Sequence, residues 1–273
     1  ISAPSFKSVK SPKQSFLVQK LSKKFIEDRF NVTETLPEEA FGKITSFVKE
    51  NGRWYVCAQK QIEITPMTEI QGLDVVASDP GVRTFATTYS GTKVTKYGAQ
   101  FFEKRVFPLL LRLDKLISDR AKSRHDEWKR GIQKKIDRLR NRISDLVSDL
   151  HKRVAHDLVS NYDVILLPNF ETQNMSKKMG RKIHTKTVRS MLGLRHFQFK
   201  QHLKWMARKN GKLVVDVNEA YTSKTRSWDG VIDEKLGGKD IITDGKVVVD
   251  RDINGARGIL LRALYGTCPA TSQ

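Results

Sequence analysis

Three acidic side chains stand at positions from which they could act together on a phosphodiester bond. Asp79 ends an apolar run, Glu171 follows a later apolar run, and Asp252 precedes a helical segment near the end of the sequence. Carboxylate oxygens are the ligands that Mg²⁺ prefers, and two such ions about 4 Å apart activate water and stabilise the leaving oxygen in phosphodiester hydrolysis. We therefore predict that Asp79, Glu171 and Asp252 are catalytic residues that bind two Mg²⁺ ions.

Each of these acids also has a structural interpretation. An Asp before Pro-Gly, as at Asp79, commonly forms a turn. Asp252 is suited to cap the helix that follows it, and Glu171 fits an exposed loop. The catalytic interpretation depends on all three acids meeting at the ends of strands and helices. Asp216 and Glu219, beyond another apolar run, replace Glu171 in this scheme if the predicted strands are displaced.

The order of predicted elements is one that would bring these acids together. Short apolar or alternating runs predict strands, and apolar residues three and four apart predict helices. The predicted strands span 73–77, 82–90, 93–97, 163–167 and 212–217, and the helices span 106–117, 132–158, 188–206 and 255–264. We expect the first two helices to pack antiparallel on each other and on the sheet, and the third to stop at Asn210-Gly211. This βββαβαβα order predicts an α/β, ribonuclease-H-like mixed sheet.

The sequence before this region is richer in short strands. Runs at 15–18, 44–48 and 53–58, the last two joined by Asn51-Gly52, predict a small β-rich module with a hairpin. The predicted organisation is therefore a β-rich, barrel-like module over 1–72, an α/β domain over 73–264 with a helical insertion over 104–160, and a tail over 265–273. Because the chain begins with Ile1 rather than Met, we expect the first module to be incomplete.

The charge indicates a polyanionic partner. Lys and Arg number 50 against 30 Asp and Glu, giving +20, and the stretch 172–212 contains no acid, with aromatic residues interleaved. Basic side chains beside aromatic faces favour nucleic acid over a membrane surface. The predicted nucleic-acid-binding residues are Lys177, Lys178, Arg181, Lys182, Lys186, Arg189, Arg195, Lys200 and Arg251. The segment 104–160 is also basic, but its mixed signs fit a solvated helical face.

Composition excludes several classes of protein. A hydrophobic fraction of 38% supports a packed core, and no apolar run approaches the roughly 18 residues of a membrane span. We therefore expect no membrane partner and no secretion signal. The two cysteines, Cys57 and Cys268, form neither a disulfide framework nor a four-thiolate zinc site, which favours a reducing compartment. The sequence sets no oligomeric state.

Three motifs resemble those of the TnpB and Fanzor nucleases, over about residues 73–264. Asp79-Pro80-Gly81-Val82-Arg83-Thr84-Phe85 resembles the first RuvC motif, and Ile165-Leu166-Leu167-Pro168 with Phe170-Glu171-Thr172-Gln173 resembles the second. Tyr221-Thr222-Ser223-Lys224-Thr225 followed by Asp250-Arg251-Asp252-Ile253-Asn254-Gly255-Ala256 resembles the third. The resemblance implies an RNA-guided DNA endonuclease of transposon origin, related to type V CRISPR effectors. A guide RNA and target double-stranded DNA would be its partners, with a β-barrel wedge and helices gripping the duplex.

Two departures from the family pattern carry their own implications. The glutamate at 171 is shifted from the usual position directly after the strand, as in the Fanzor branch, which implies a nuclear protein; a bacterial source would place it in the cytoplasm or nucleoid. The family's paired Cys-x-x-Cys segments are replaced by Arg226-Ser227-Trp228-Asp229 and Ile241-Ile242-Thr243-Asp244. The insertion 221–249 is therefore a degenerate zinc ribbon, and no zinc is predicted.

The resemblance also implies a role for each acid and leaves three alternative functions open. Asp79 would bridge both Mg²⁺ ions, with Glu171 on one and Asp252 on the other. A nuclease-dead, guide-dependent DNA-binding protein remains an alternative if Glu171 does not reach the metals. A guide-independent transposase or resolvase is a second alternative, and a basic RNA-binding or structural protein is a third. Cleavage assays and sequencing of co-purified RNA separate them.

Overall fold

The computed structural model describes residues 13–64, 66, 72–168, 185–218, 222, 224–233, 236 and 239–265 of the 273. These divide into two compact units, the first drawn from 1–63 and 111–144 and the second from 64–110 and 145–273. Among the described residues, no helix is long and apolar enough to cross a membrane.

The first unit contains an antiparallel sheet of three strands. Strands β1 (Lys13–Val18), β2 (Thr45–Glu50) and β3 (Arg53–Cys57) lie in the order β1-β2-β3. Asn51 and Gly52 turn the chain between β2 and β3 with φ angles of 47° and 76°. Two consecutive positive φ angles are what a two-residue hairpin turn requires, and Asn-Gly supplies them at little cost. The predicted hairpin is confirmed, and the wedge role of this β-rich part stays a prediction.

An aromatic cluster forms the core of the first unit. Phe47 on β2 is fully buried and stacks on Phe16 of β1, with ring centroids 4.9 Å apart. Helix α1 (Lys23–Arg29) contributes Ile26 to the same cluster. Ser22 caps this helix, because its hydroxyl accepts a hydrogen bond from the Phe25 N–H at 3.2 Å. Burial of these rings holds the helix on the sheet.

The second unit contains the predicted mixed sheet. Its strands are β4 (Val75–Pro80), β5 (Ala86–Tyr89), β6 (Val94–Tyr97), β7 (Val164–Pro168) and β8 (Leu213–Val217), in the order β6-β5-β4-β7-β8. Strands β4, β5 and β6 pair antiparallel, whereas β4, β7 and β8 pair parallel. The ribonuclease-H-like α/β fold is therefore confirmed. The parallel arrangement brings the carboxyl ends of β4, β7 and β8 to the same edge of the sheet.

The helices differ from the prediction in three places. They are α2 (Phe107–Lys122), preceded by a π-helical turn (Phe102–Val106), α3 (Asp126–Asn161), α4 (Thr185–Leu194), α5 (His196–Lys209) and α6 (Arg251–Tyr265). The single helix predicted over 188–206 is wrong, because Arg195 adopts a left-handed conformation and separates α4 from α5. Helix α6 begins at Arg251 rather than Gly255. The apolar stripe of α2 predicts a buried face, whereas none of its residues is fully buried.

Helix α6 packs on the parallel part of the sheet. Ile259 and Leu260 of α6 form a buried cluster with Ala77 of β4, Leu166 of β7 and Val217 of β8. Since residues alternate between the two faces of a strand, Asp79 shares the face of Ala77. The packing therefore brings the first turns of α6 toward the end of β4.

A second buried cluster centres on Phe85, the last residue of the motif that begins at Asp79. The Phe85 ring stacks between His151 of α3, 5.3 Å away, and His196 of α5, 5.0 Å away. The His151 Nε2 lies 2.8 Å from the Leu194 carbonyl oxygen. Burial lowers the pKa of both histidines to about 4, because the interior disfavours the charged imidazole. The core is therefore built around two neutral histidines.

These histidines make the second unit sensitive to acid. Each histidine has a pKa of 6.5 in the unfolded chain and of about 4 in the folded protein. Above pH 6.5 it is neutral in both states, so its protonation does not reduce the free energy of unfolding. Between pH 6.5 and about 4 the unfolded chain binds protons that the folded protein does not. The free energy of unfolding therefore falls by on the order of 3 kcal/mol for each histidine. We expect the free energy of unfolding in urea to fall from about pH 7 to about pH 5. His151→Gln should show a shallower fall than His156→Gln, which changes an exposed histidine of the same helix. Equal slopes for these two variants would contradict the prediction.

Candidate functional site

Asp79 lies on β4, not in the turn that follows it. It pairs in register with Thr87 of β5. The turn is made by the next residues, where the Gly81 N–H donates to the Phe85 carbonyl oxygen at 3.2 Å. A Cβ at Gly81 would lie 2.7 Å from the Thr84 carbonyl oxygen, so this tight turn requires glycine. The turn interpretation therefore applies to Gly81–Phe85 and leaves the Asp79 side chain at the sheet edge.

Asp252 lies in the first turn of α6, and Asp250 caps that turn. The Asp250 Oδ1 accepts a hydrogen bond from the Asp252 N–H at 2.9 Å. Burial acts to raise the pKa of Asp250, but hydrogen bonds from Lys96 and the backbone outweigh it and lower the pKa. The Asp252 carboxylate, only 13% exposed, is thus left for contacts other than capping.

The two acids meet at Gly255. A Cβ at Gly255 would lie 2.4 Å from the Asp79 Oδ2 and 3.2 Å from its Cγ. Residues three apart share a helix face, so Gly255 and Asp252 lie on the same side of α6. The Asp79 carboxylate therefore lies against the helix face that carries Asp252. The structure brings together two of the three predicted acids, from a strand and a helix 173 residues apart.

Two basic side chains contact the Asp252 carboxylate. The Arg83 Nη2 bonds the Asp252 Oδ2 at 3.1 Å, and the Arg83 Nη1 bonds the Asp240 Oδ1 at 2.6 Å. The Arg251 Nη2 lies 3.5 Å from the Asp252 Oδ1. Neither Arg83 nor Asp240 is among the site residues predicted from the sequence. Arg83 carries one signal, its place four residues after Asp79, whereas Asp240 carries none.

The two described acids, Asp79 and Asp252, fit a hard divalent cation. Asp79 and Asp252 supply carboxylate oxygens, which suit Mg²⁺. The Thr87 hydroxyl, opposite Asp79, is buried and finds no hydrogen-bond partner among the described residues, so a polar group or water is needed there. Glu171 lies outside the described residues, within which no group of three or more His, Cys, Asp or Glu side chains is placed to hold a metal ion.

The predicted nucleic-acid-binding residues fall into two groups. Lys177, Lys178, Arg181 and Lys182 lie outside the described residues. The described ones are Lys186, Arg189, Arg195, Lys200 and Arg251. Lys186 forms an ion pair with Glu103 at 3.0 Å, and Lys200 forms one with Asp216 at 2.9 Å. Arg189 lies over the Phe107 ring at 5.9 Å, and Arg195 lies at the junction between α4 and α5. Acids from other parts of the sequence therefore partly neutralise the stretch that contains none. Lys204 also bonds Asp216 at 2.9 Å, so this alternative to Glu171 is already held by two lysines. Glu219 lies outside the described residues.

The insertion before α6 contains a hairpin held by protein groups. Strands β9 (Ile241–Thr243) and β10 (Val248–Asp250) pair antiparallel. The Trp228 Nε1 donates to the Asp244 Oδ2 at 2.8 Å, which joins the two segments that replace the Cys-x-x-Cys pairs. The backbone N–H groups of Val247 and Lys246 bond Asp244 and, with Trp228, lower its pKa to about 2. Hydrogen bonds thus connect the segments that thiolates join through zinc in the resembled family.

The close approach of Asp79 to Gly255 predicts that a substitution at Gly255 weakens metal binding without lowering the thermal stability of the protein. Gly255→Ala should raise or preserve the thermal midpoint, since Ala is about 1 kcal/mol better than Gly in a helix. Its methyl group must displace the Asp79 carboxylate, so we expect Mn²⁺ affinity, measured by calorimetry, to fall at least about tenfold. Gly258→Ala is the matched control, because the nearest atom to its Cβ would be the Thr222 Cβ at 3.4 Å, an ordinary van der Waals contact. Unchanged Mn²⁺ affinity in Gly255→Ala would contradict this prediction.

Comparison with known proteins gives concordant similarities. Residues 196–259 match the family described as Cas12f1-like, TNB domain. The chain is 32% identical over 192 residues to a "Putative transposase" of Paramecium bursaria Chlorella virus 1, covering 70% of this chain and 43% of that protein. It is 27% identical over 188 residues to a TnpB-like protein of Acanthamoeba polyphaga mimivirus, covering 67% and 36%.

The fold matches solved structures of Cas12f. The TM-score is 0.51 with 13% identity to a chain of the Cas12f1-sgRNA-target DNA complex, covering 80% of this chain and 45% of that one. It is 0.50 with 14% identity to a chain of a CRISPR-Cas12f ternary complex, covering 79% and 44%. The chain spans less than half the length of each of these four proteins. It is thus similar in sequence to TnpB-like and transposase proteins, and it shares the fold of Cas12f1.

Proposed function

We propose that the protein is an RNA-guided DNA endonuclease of transposon origin, of the TnpB type. The observation that carries this proposal is the meeting of Asp79 and Asp252 at Gly255, at the edge of a ribonuclease-H-like sheet. Similarity to TnpB-like and transposase proteins supports the transposon origin. Membership of the Fanzor branch, with a nuclear location, is part of the same proposal and depends on the position of Glu171.

The proposed chemistry assigns a function to each side chain of the site. Asp79, Glu171 and Asp252 would hold two Mg²⁺ ions, and such ions, when bound, would lower the pKa of water and stabilise the leaving oxygen. Asp79 presents its carboxylate from a rigid strand, and Asp252 from the first turn of α6. Arg251, beside Asp252, is placed to neutralise a phosphate that approaches the carboxylates.

Isosteric replacement of the acids tests this assignment. Asp79→Asn and Asp252→Asn keep the shape of each side chain but remove the charge that binds metal. We expect cleavage of guide-matched DNA by the full-length protein to fall more than about 100-fold, because metal ions supply several kcal/mol of transition-state stabilisation. Guide and DNA binding, measured by filter retention, should be retained. Asp149→Asn, which changes an exposed acid of α3, should cut normally. Normal cutting by Asp79→Asn would refute the site.

A guide-independent transposase is the second candidate, because two viral relatives of this chain are named as transposases. The two candidates differ in one measurable requirement. Sequencing RNA that co-purifies with the protein should yield one discrete species for the guided nuclease. DNA cleavage that survives complete removal of RNA supports the transposase, and DNA binding without cleavage in Mg²⁺ supports the nuclease-dead alternative.

A basic notch in the first unit supports the nucleic-acid part of the proposal. It has a volume of about 280 Å³ and lies between the β2–β3 turn and α3. The buried Asn141 fixes the turn, since its Nδ2 donates to the Asn51 carbonyl oxygen at 3.0 Å. The charged side chains that line the notch are Arg53, Lys134, Asp137 and Arg138. Three cations against one carboxylate favour a phosphate of the nucleic-acid backbone.

Charge reversal tests whether this notch binds phosphate. We expect Lys134→Glu to weaken DNA or RNA binding and to reduce the slope of log affinity against log salt, by about 0.9 for each duplex phosphate that the protein no longer neutralises. Lys24→Glu makes the same charge change at an exposed position of α1 and serves as the control. Fluorescence anisotropy over a range of salt concentrations measures both slopes. Identical slopes for the two variants would exclude the notch as a phosphate-binding surface.

A further inference from the structure

Arg83 contacts carboxylates that belong to two different parts of the second unit. Its Nη2 bonds the Asp252 Oδ2 of α6 at 3.1 Å and lies 3.9 Å from the Asp250 Oδ1 of β10. Its Nη1 bonds the Asp240 Oδ1, directly before β9, at 2.6 Å. One guanidinium therefore joins the first turn of α6 to both ends of the β9–β10 hairpin.

The chemistry of the guanidinium makes these contacts geometrically demanding. Its donors project in fixed directions from one plane, so two nitrogens that hold two carboxylates also fix the distance between them. A second contact closes the arrangement, since the Arg251 N–H donates to the Asp240 carbonyl oxygen at 3.0 Å. The hairpin start is thus tied to α6 by its backbone and to Arg83 by its side chain.

The backbone of Arg83 is itself held in place. Its carbonyl oxygen accepts a hydrogen bond from the Gln100 N–H at 2.8 Å. The Gly81–Phe85 turn encloses Arg83, and the buried Phe85 anchors that turn between two histidines. The loop that carries the guanidinium is therefore held by a backbone hydrogen bond and by the packing of the Phe85 ring.

We propose that Arg83 is a positioning residue that orients the Asp252 carboxylate toward divalent metal and couples this carboxylate to the hairpin. The inference rests on the proposed function, in which Asp252 is a metal ligand. The contacts from Arg83 and Arg251 use two of the roughly four lone-pair directions of the carboxylate and leave the others for metal. Because the Arg83 side chain is 38% exposed, solvent screens its repulsion of the metal. The loss of orientation therefore outweighs the relief of repulsion when Arg83 is removed.

Binding of Mn²⁺ to the purified full-length protein tests the proposal without reference to cleavage. We expect Arg83→Met to raise the Mn²⁺ dissociation constant about 10- to 100-fold, as for other groups that orient metal ligands. Arg83→Lys should lie between wild type and Arg83→Met, since an ammonium supplies the charge without the planar fork. Lys96→Met removes a neighbouring cation that bonds Asp250 at 2.8 Å and not Asp252, so its Mn²⁺ affinity should stay close to wild type. Unchanged or tighter Mn²⁺ binding by Arg83→Met overturns the proposal.

Two further measurements show whether a negative result concerns the metal site, the role of Arg83 or the coupling to the hairpin. Asp252→Asn is titrated with Mn²⁺ in parallel: if it binds as wild type does, the metal site itself is wrong, whereas weaker binding in Asp252→Asn alone rejects only the role of Arg83. Amide hydrogen exchange in residues 241–250 reports the coupling to the hairpin. We expect faster exchange there in Arg83→Met than in Lys96→Met, with thermal midpoints that remain close. Equal exchange in both variants rejects the coupling.

Discussion

The close approach of the Asp79 carboxylate to Gly255 is the contact on which the site depends. Aspartate has a short side chain, so it reaches the axis of a packed helix only where that helix presents no Cβ. The approach is set by the cluster of Ala77, Ile259 and Leu260, which fixes α6 on β4. Glycine inside a helix costs about 1 kcal/mol relative to alanine. This local cost is what allows the Asp79 carboxylate to approach the helix that carries Asp252.

The structure places acidic side chains beside cations that are far from any acid in the sequence. The stretch 172–212 has no acid in sequence, yet Lys200 and Lys204 both bond Asp216. The pairing follows from topology, because α5 leads directly into β8 and packs beside it. An acid-free run in sequence is therefore not an acid-free surface. In the described residues, several cations that look most available in the sequence are held in ion pairs, while the notch beside Asn141 gathers cations from a helix of mixed sign.

The sequence predicted the parts of this arrangement that depend on local patterns. Apolar alternation and helical spacing located all five strands of the mixed sheet, and the Asn-Gly pair located the hairpin of the first unit. The break at Arg195 escaped prediction because apolar spacing reports which face of a helix is buried and continues across a single left-handed residue. The pairing of Arg83 with Asp240 escaped it as well, since an ion pair between residues 157 positions apart depends on how the sheet and hairpin are placed.

The first turns of α6 explain how these separate features act as one. Residues three apart share a helix face, so Asp252 and Gly255 face Asp79, whereas Asn254 projects to another side. There the Asn254 Oδ1 accepts from the Ser227 N–H at 2.8 Å and its Nδ2 donates to the Thr225 carbonyl oxygen at 2.9 Å. Asn254 is almost completely buried, so loss of either bond leaves an unpaired polar group at a cost of about 1–3 kcal/mol. The same short segment that carries the metal-binding candidate is therefore fixed from the insertion on one side and from the sheet on the other. That double attachment is what allows a residue at a helix start, where ends usually fray, to hold a carboxylate in a defined position.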